Sequence, residues 1–450
     1  MPKLNVSGYR GIWGADLNEQ IAYEFGLAFA QLIKNNNLPK KILIGRDARK
    51  TGPLILEALK QAFEKEGIEY EYAGIIPTPS ILLLVRKLDF GGGIMITASH
   101  NPPEYNGMKF INSKGLFATS EQIEEIIKNK ENLNKENHFS PVQSYEDIFD
   151  NKKHREIHIN EILKNIDVEK IKSKKFKVAH DPINSAGSII TLELLKELGC
   201  EVYQINKEQT GEFTHMPEPL AINLGQIAQA VKDSNADIGF AQDPDADRLV
   251  LVNEKGEIIN EEYTLALGIK SVLLKEVGDI VINMSTSKMS EDLATENNVK
   301  IFRTKIGEAN VVDKMLGINA VAGGEGSGGM IYPKINPARD SLVGIALVLE
   351  LMATKEKAIS KIVNEIPKYF MQKDKIPMTG SLNQIYEKVK KAFPDGEIDS
   401  LDGMRLDFPN SSWLHIRPSN TEPIIRIFGE AKTEEEIKAL FGKVRLTLES

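Results

Sequence analysis

The chain is poor in cysteine, in positive charge and in long apolar runs. Of its 450 residues only Cys200 is a cysteine, which excludes an intramolecular disulfide and fits a reducing compartment. Lys and Arg number 56 against 64 Asp and Glu, a formal net charge of -8. That sign argues against a nucleic-acid or anionic-membrane partner, because both need a basic face to displace counterions or attract headgroups. Any phosphate ligand must then meet positive charge that is local. The most apolar helical stretch, Leu342 to Ala353, is too short to cross a bilayer and carries Glu350, so a buried core helix is expected. The opening Met1-Pro-Lys-Leu-Asn-Val-Ser7 has no apolar signal region, and a cytoplasmic location is expected.

What is present is enough apolar residue, 41%, for a chain well above the size at which one core stops growing, so several domains are expected. Short apolar runs alternate with amphipathic stretches: Lys41-Ile-Leu-Ile-Gly45 precedes 53–65, and Lys175-Phe-Lys-Val-Ala179 precedes 189–198. Asp279-Ile-Val-Ile-Asn283 opens a third copy, followed by a polar turn and the run 291–297. This alternation predicts α/β units with largely parallel sheets, repeated three times. The segment 126–158 has the composition of an exposed helix and connector and sets a first boundary near 145. The turn Asn253-Glu-Lys-Gly256 sets a second, and the polar stretch 368–380, interrupted by Pro377, a third. The expected domains are 1–145, 146–253, 254–368 and 369–450. The last is a small α+β domain whose final helix opens at Thr433 with Glu436 at capping-box spacing.

Four stretches carry chemistry. Asp243-Pro-Asp-Ala-Asp-Arg248 sets three carboxylates at alternate positions, which repel unless a hard cation such as Mg²⁺ lies among them. A solvated acidic turn and an aspartyl-nucleophile phosphatase pattern are alternatives. An EF-hand loop fails, because Arg248 stands where Gly is required and Leu-Val-Leu-Val252 is a strand. Ser99, between Ala98 and His100, lacks the flanking glycines of a hydrolase elbow. In extended backbone, Ser99 and His100 point to opposite faces, which disfavours His100 as its base. Turn residue and nucleophile both remain open for Ser99. Arg417-Pro-Ser-Asn-Thr-Glu-Pro-Ile-Ile-Arg426 gathers two arginines, two hydroxyls and an amide, the means by which an acidic protein makes a local phosphate site. Gly323-Gly-Glu-Gly-Ser-Gly-Gly329 is a loop whose polar side chains, Glu325 and Ser327, suit adjacent sugar hydroxyls.

Together and in this order the four stretches resemble the α-D-phosphohexomutase family: Thr97-Ala-Ser-His-Asn-Pro102 its phosphoserine loop, 243–248 its metal loop, 324–328 its sugar loop and 417–421 its phosphate loop. Ser7-Gly-Tyr-Arg-Gly11, Gly45-Arg-Asp-Ala-Arg49 and Asn106-Gly-Met-Lys109 add to the likeness. The resemblance implies three related α/β domains with mixed sheets plus a smaller α+β C-terminal domain around a central cleft. It implies a phosphoryl group on Ser99, one Mg²⁺ at Ser99, Asp243, Asp245 and Asp247, and exchange of hexose 6-phosphate with hexose 1-phosphate through a hexose 1,6-bisphosphate. Glu325 and Ser327 would read the sugar, while Arg417, Ser419, Asn420, Thr421 and Arg426 would hold the idle phosphate. Lys109, Arg10, Arg248 and Lys288 would offset charge on the transferring group, with Lys109 or Arg10 handling the proton and His100 a phosphate-contacting or structural neighbour. The implied partner is a small phosphosugar and the implied assembly a monomer or homodimer.

Gly329 and Glu308 stand where some bacterial members carry histidines, so no histidine acid-base role carries over. The pattern 323–329 followed by Arg339-Asp-Ser-Leu-Val343 is similar to the archaeal-type phosphoglucosamine mutase branch, which favours glucosamine phosphate over glucose or mannose phosphates. A phosphatase acting through Asp243 and a non-catalytic phosphosugar-binding protein are the competing classes.

Overall fold

The computed structural model describes residues 4–134, 136–142, 151–419 and 424–449. Among them the strands form four sheets. The first holds β1 (Tyr9–Ile12), β2 (Lys41–Arg46), β3 (Glu69–Ile75), β4 (Gly92–Ile96) and β5 (Tyr105–Asn112), in the order β1-β5-β4-β2-β3. The second holds β6 (Lys177–Asp181), β7 (Glu201–Gln204), β8 (Ile238–Gln242), β9 (Leu249–Asn253) and β10 (Ile258–Ile259), in the order β10-β9-β8-β6-β7. The third runs β12-β11-β13-β14, from β11 (Ile280–Asn283), β12 (Ile301–Thr304), β13 (Ala322–Glu325) and β14 (Gly329–Ile331).

These three sheets repeat one plan. A central strand (β2, β6, β11) lies parallel to the two that follow it, and a fourth (β5, β9, β14) returns antiparallel to the third. The sheets are therefore mixed rather than largely parallel. Alternation of strand and helix reveals the parallel part, but the fourth strand follows a hairpin and has no helix to mark it. That hairpin is the same place in each repeat: it carries Ser99 in the first, the three aspartates in the second and the glycine-rich loop in the third.

The fourth sheet is antiparallel, in the order β15-β19-β18-β17-β16, from β15 (Phe370–Pro377), β16 (Glu397–Asp399), β17 (Met404–Asp407), β18 (Trp413–Pro418) and β19 (Ile424–Ala431). Helices Leu382–Ala392 and Glu434–Glu449 share its core. Thr433 Oγ1 accepts from Glu436 N at 3.2 Å and Glu436 Oε2 from Thr433 N at 3.1 Å, the reciprocal cap expected from the spacing.

Three boundary readings need correction or qualification. The turn 253–256 lies inside one sheet, because Ile258 pairs with Val252 and Ile259 with Leu251. The stretch 368–380 is mostly strand β15, whose edge position tolerates Pro377 at its end. The boundary near 145 lies outside the described residues.

A single core runs through the second and third sheets, and helix Ser341–Lys355 is buried at every residue from Ser341 to Ala353. Glu350 is tolerated there because Lys275 Nζ lies 2.6 Å from its Oε2 and Asp167 N donates to its Oε1 at 2.8 Å. Among the described residues no helix is long and apolar enough to cross a membrane.

The segment 126–158 is not wholly exposed. Helix Lys152–Leu163 buries His154, Arg155 and His158, each paired across to a different part of the chain. His154 reaches Glu71 at 2.8 Å, Arg155 reaches Glu193 at 2.7 and 2.8 Å, and His158 lies 2.8 Å from Ser80 Oγ and 2.9 Å from Asp340 Oδ2. Polar composition misleads here because the partners lie far away in sequence. Replacing His158 by Leu removes the side-chain partner of the buried Ser80 hydroxyl and one of the two side-chain donors to Asp340 Oδ2, leaving Asn336 as the other, a cost of about 1–3 kcal/mol. Denaturant unfolding should show the loss as an earlier first transition; an unchanged profile would contradict this account of the helix.

Candidate active site

Ser99 closes the turn after β4. Its φ is 51°, a left-handed conformation in which a non-glycine residue must be held by its surroundings. The holding groups are specific. Ser99 N donates to Thr97 Oγ1 at 2.8 Å, and the Thr97 hydroxyl donates to Asp47 Oδ2 at 2.7 Å. Arg49, ion-paired to Asp47 at 3.1 Å, donates to the carbonyls of Ser99, Asn101, Pro102 and Tyr105 at 2.6–3.0 Å. Burying five polar acceptors under one guanidinium leaves the loop little freedom. Asp47 and Arg49 sit in the 45–49 motif, but nothing in that motif announces that they clamp a loop fifty residues away.

The left-handed turn also overturns the side-chain argument against the Ser-His pair. Ser99 Oγ lies 3.2 Å from His100 Nδ1, because alternation of faces holds only in extended backbone. Burial, together with the positive charges of Arg248 and Arg10, holds the His100 pKa well below its ordinary value.

The Ser99 hydroxyl donates to Asp243 Oδ2 at 3.1 Å, across the first and second domains. Asp243, Asp245 and Asp247 are buried, and one ligand atom from each lies within 4.8 Å of the others. Ala246, with φ 52°, makes the turn between them. Asp243 Oδ1 accepts from the backbone of Asp247 and Arg248, both at 3.1 Å. Asp245 Oδ2 accepts from Lys109 Nζ at 2.6 Å and from the Thr78 hydroxyl, and Asp247 Oδ2 from Lys109 at 3.3 Å and Arg339 at 2.7 Å.

Asp245 Oδ1 and Asp247 Oδ1 are buried with no hydrogen-bond partner among the described residues. Unpartnered anionic oxygens in so tight a cluster are costly unless a cation takes them, and an all-oxygen donor set fits a hard divalent ion. The neighbours divide the charge unequally. Burial and the charges of Asp247 and Asp245 raise the Asp243 pKa far above its ordinary value. Burial opposes ionisation of Asp247 too, but Arg339, Lys109 and Arg248 outweigh it and lower its pKa.

Burial alone would lower the Lys109 pKa, yet Asp245 and Asp247 raise it, which favours fixed charge over proton handling for this side chain. Arg10 reaches the same loop through Asn101 Oδ1 at 3.2 Å and, as a guanidinium, cannot accept a proton. Arg248 Nε lies 4.0 Å from Asp247 Oδ1. Lys288 is not brought to this cluster: its Nζ pairs with Asp407 at 3.1 Å and its N donates to Glu430 at 2.9 Å, joining the third and C-terminal domains.

The glycine-rich loop joins the cluster from the third domain. Glu325 Oε1 accepts from Asn283 and from Gly307 N, both at 2.9 Å, and its Oε2 from Arg339 at 2.8 Å. Ser327 is half-buried in the same hairpin. Gly326 has no room for a side chain, since a Cβ would lie 2.0 Å from the Glu262 carboxylate. In the C-terminal domain Arg417 and Arg426 face each other across β18 and β19, and Ser419 N donates to Ile424 O at 2.9 Å to close the hairpin. Asn420 and Thr421 lie outside the described residues. Arg417 lies 3.7 Å from Asp402 Oδ2, which also accepts from Ile306 N at 2.9 Å. Ile306 adjoins Gly307, so this hairpin is tied to the Glu325 loop.

Four domain families match over stretches that each include one of these loops: phosphoglucomutase/phosphomannomutase alpha/beta/alpha domains I, II and III over residues 1–137, 156–256 and 260–370, and the C-terminal domain over 375–446. The chain belongs to the phosphoglucomutase/phosphomannomutase family. It is 36% identical to a phosphoglucomutase/phosphomannomutase of Thermococcus kodakarensis, over 96% of this chain and 95% of that one. It is 32% identical to a phosphoglucosamine/phosphogalactosamine mutase of Sulfurisphaera tokodaii, over the full length of both. Its fold matches a phosphoglucomutase/phosphomannomutase family protein from Burkholderia thailandensis with a TM-score of 0.83 at 24% identity, covering 98% and 96% of the two chains. A cation held by the aspartates of this family member should stabilise the folded protein. At about 100 times its Kd, a divalent ion is expected to add about 2.7 kcal/mol, seen as a raised thermal midpoint that Asp245→Asn abolishes. No shift in the unsubstituted protein would contradict the metal-site assignment.

Proposed function

We propose that the chain interconverts hexose 6-phosphate and hexose 1-phosphate through a phosphoserine at residue 99, with glucosamine phosphate as preferred substrate. The observation that carries this is the Ser99 hydroxyl, turned by a left-handed backbone to within 3.1 Å of Asp243 in a buried aspartate triad. Ser99 Oγ carries the phosphoryl in the resting enzyme. As the sugar hydroxyl attacks, the Oγ–P bond breaks, a new O–P bond forms on the sugar, and the proton of the sugar hydroxyl passes to the departing Ser99 Oγ, which is left as a neutral hydroxyl. The resulting hexose 1,6-bisphosphate reorients and returns its other phosphoryl to Ser99. Asp243, Asp245 and Asp247 would hold Mg²⁺, whose positive charge would offset the negative charge of the transferring phosphoryl group.

The chain's own residues do the rest. Arg49 and Thr97 fix Oγ in place, while Lys109, Arg10 and Arg248 supply fixed positive charge. Glu325 and Ser327 read sugar hydroxyls in either orientation, and the hairpin bearing Arg417, Ser419, Asn420, Thr421 and Arg426 holds the phosphate that is not reacting. The domains drawn at 1–145, 146–253, 254–368 and 369–450, with the second boundary moved past Ile259, each bring one of these loops. The glucosamine preference is supported by the 323–329 pattern and by the likeness to the Sulfurisphaera tokodaii mutase, whose name carries phosphoglucosamine.

Ser99→Ala should lower turnover by at least about a thousandfold, measured as isomerisation of glucosamine 1-phosphate with a trace of the 1,6-bisphosphate. Wild-type rates in that variant would refute the mechanism. Comparable rates on glucosamine, glucose and mannose 1-phosphates would refute the sugar preference while leaving the mechanism standing.

A further inference from the structure

Arg339 is a sequence neighbour of the glycine-rich loop, and its one side chain bridges the aspartate loop and that loop. Its three guanidinium nitrogens go to three carboxylates: Nε to Glu308 at 3.0 Å, NH1 to Glu325 at 2.8 Å and NH2 to Asp247 at 2.7 Å. Its backbone N also donates to Glu308, at 2.8 Å. Burial would weaken a lone cation, but Asp247, Glu308 and Glu325 raise its pKa well above the ordinary value. The next residue, Asp340, caps helix Ser341–Lys355 and is itself held by His158. The side chain is thus anchored at its head and at its backbone.

Its volume is reserved. Gly329 lies opposite Glu325 in the β13–β14 pairing, and a Cβ there would sit 2.4 Å from Arg339 Cδ and 3.0 Å from Cγ. A side chain at 329 and the guanidinium arm cannot both occupy this space, which gives Gly329 a steric reason.

We infer that Arg339 is a positioning residue that couples the metal loop to the sugar loop, acting through Asp247 and Glu325. The inference rests on the assignment of Asp247 to metal and Glu325 to sugar. Asp247 Oδ2 is committed to Arg339 and Lys109 while its Oδ1 accepts no hydrogen bond, with Arg248 Nε 4.0 Å away, so the guanidinium of Arg339 sets which oxygen is left for a cation. The same planar group sets the direction of Glu325. Occupancy of either loop orders the fork for the other, and coupling of this kind is reciprocal by thermodynamic necessity. A lysine ammonium is a point charge on a flexible stem and cannot satisfy three carboxylates set in a fork.

The test is calorimetric titration of Mg²⁺ into full-length Ser99→Ala protein, which cannot turn over, with and without saturating glucosamine 6-phosphate. With Arg339 present, the sugar phosphate should tighten Mg²⁺ binding about 5- to 10-fold. Adding Arg339→Lys should bring that factor to about one and weaken each ligand separately by about tenfold, the loss of one charge-assisted hydrogen bond. Gly329→Ala, which keeps every charge but crowds the arm, should also reduce the factor, so the inference stays testable if Arg339→Lys folds poorly. A factor of one with Arg339 present, or an unchanged factor in both variants, overturns the inference. Failure of the protein with Ser99 intact to bind Mg²⁺, or of the Ser99→Ala parent to bind sugar phosphate, overturns the assignment beneath it.

Discussion

The structure turns on like charges buried together. Asp243, Asp245 and Asp247 lie within 4.8 Å of one another out of water, and their mutual repulsion has to be met from outside their own loop. Lys109 meets part of it from the first domain and Arg339 part from the third. Two carboxylate oxygens are left without a hydrogen-bond partner among the described residues. Three domains are thereby drawn to one point by electrostatics, and the site they form is a consequence of that requirement. A serine hydroxyl placed against such a cluster is suited to phosphoryl transfer, where positioning and charge compensation do most of the work.

The repeated plan explains how three loops reach that point. Each of the first three sheets ends its parallel run with a strand that turns back antiparallel, and Ser99, the three aspartates and Glu325 sit in or at the edge of that turn. One local device, used three times, places Ser99, the aspartate triad and Glu325. The antiparallel C-terminal sheet uses a comparable hairpin between β18 and β19.

Much of this was legible in the residues. Apolar runs located β2, β6 and β11 within a few positions, and the Thr433-to-Glu436 spacing marked the last helix. Carboxylates at alternate positions pointed to a cation site, and that logic is local. What escaped is non-local. The fourth strand of each repeat lacks a periodic signature because a hairpin, not a helix, precedes it. The strut helix Lys152–Leu163 looked solvated because Glu71, Ser80, Glu193 and Asp340 are distant in sequence. Asp47, Arg49, Thr78 and Arg339 work by crossing between elements, and no spacing rule joins Arg49 to the carbonyl of Ser99. The contact between Ser99 and His100 was misjudged for a related reason: a positive φ at a serine is imposed by tertiary hydrogen bonds.

The most direct measurement of the central claim is to locate the phosphoryl group. The protein would be incubated with hexose 1,6-bisphosphate, treated with hydroxylamine, digested and sequenced by mass spectrometry. The account predicts one phosphoryl group, about 80 Da, on Ser99 and unaffected by hydroxylamine. A hydroxylamine-labile group on Asp243, or phosphorylation at another residue with Ser99 unmodified, would contradict it.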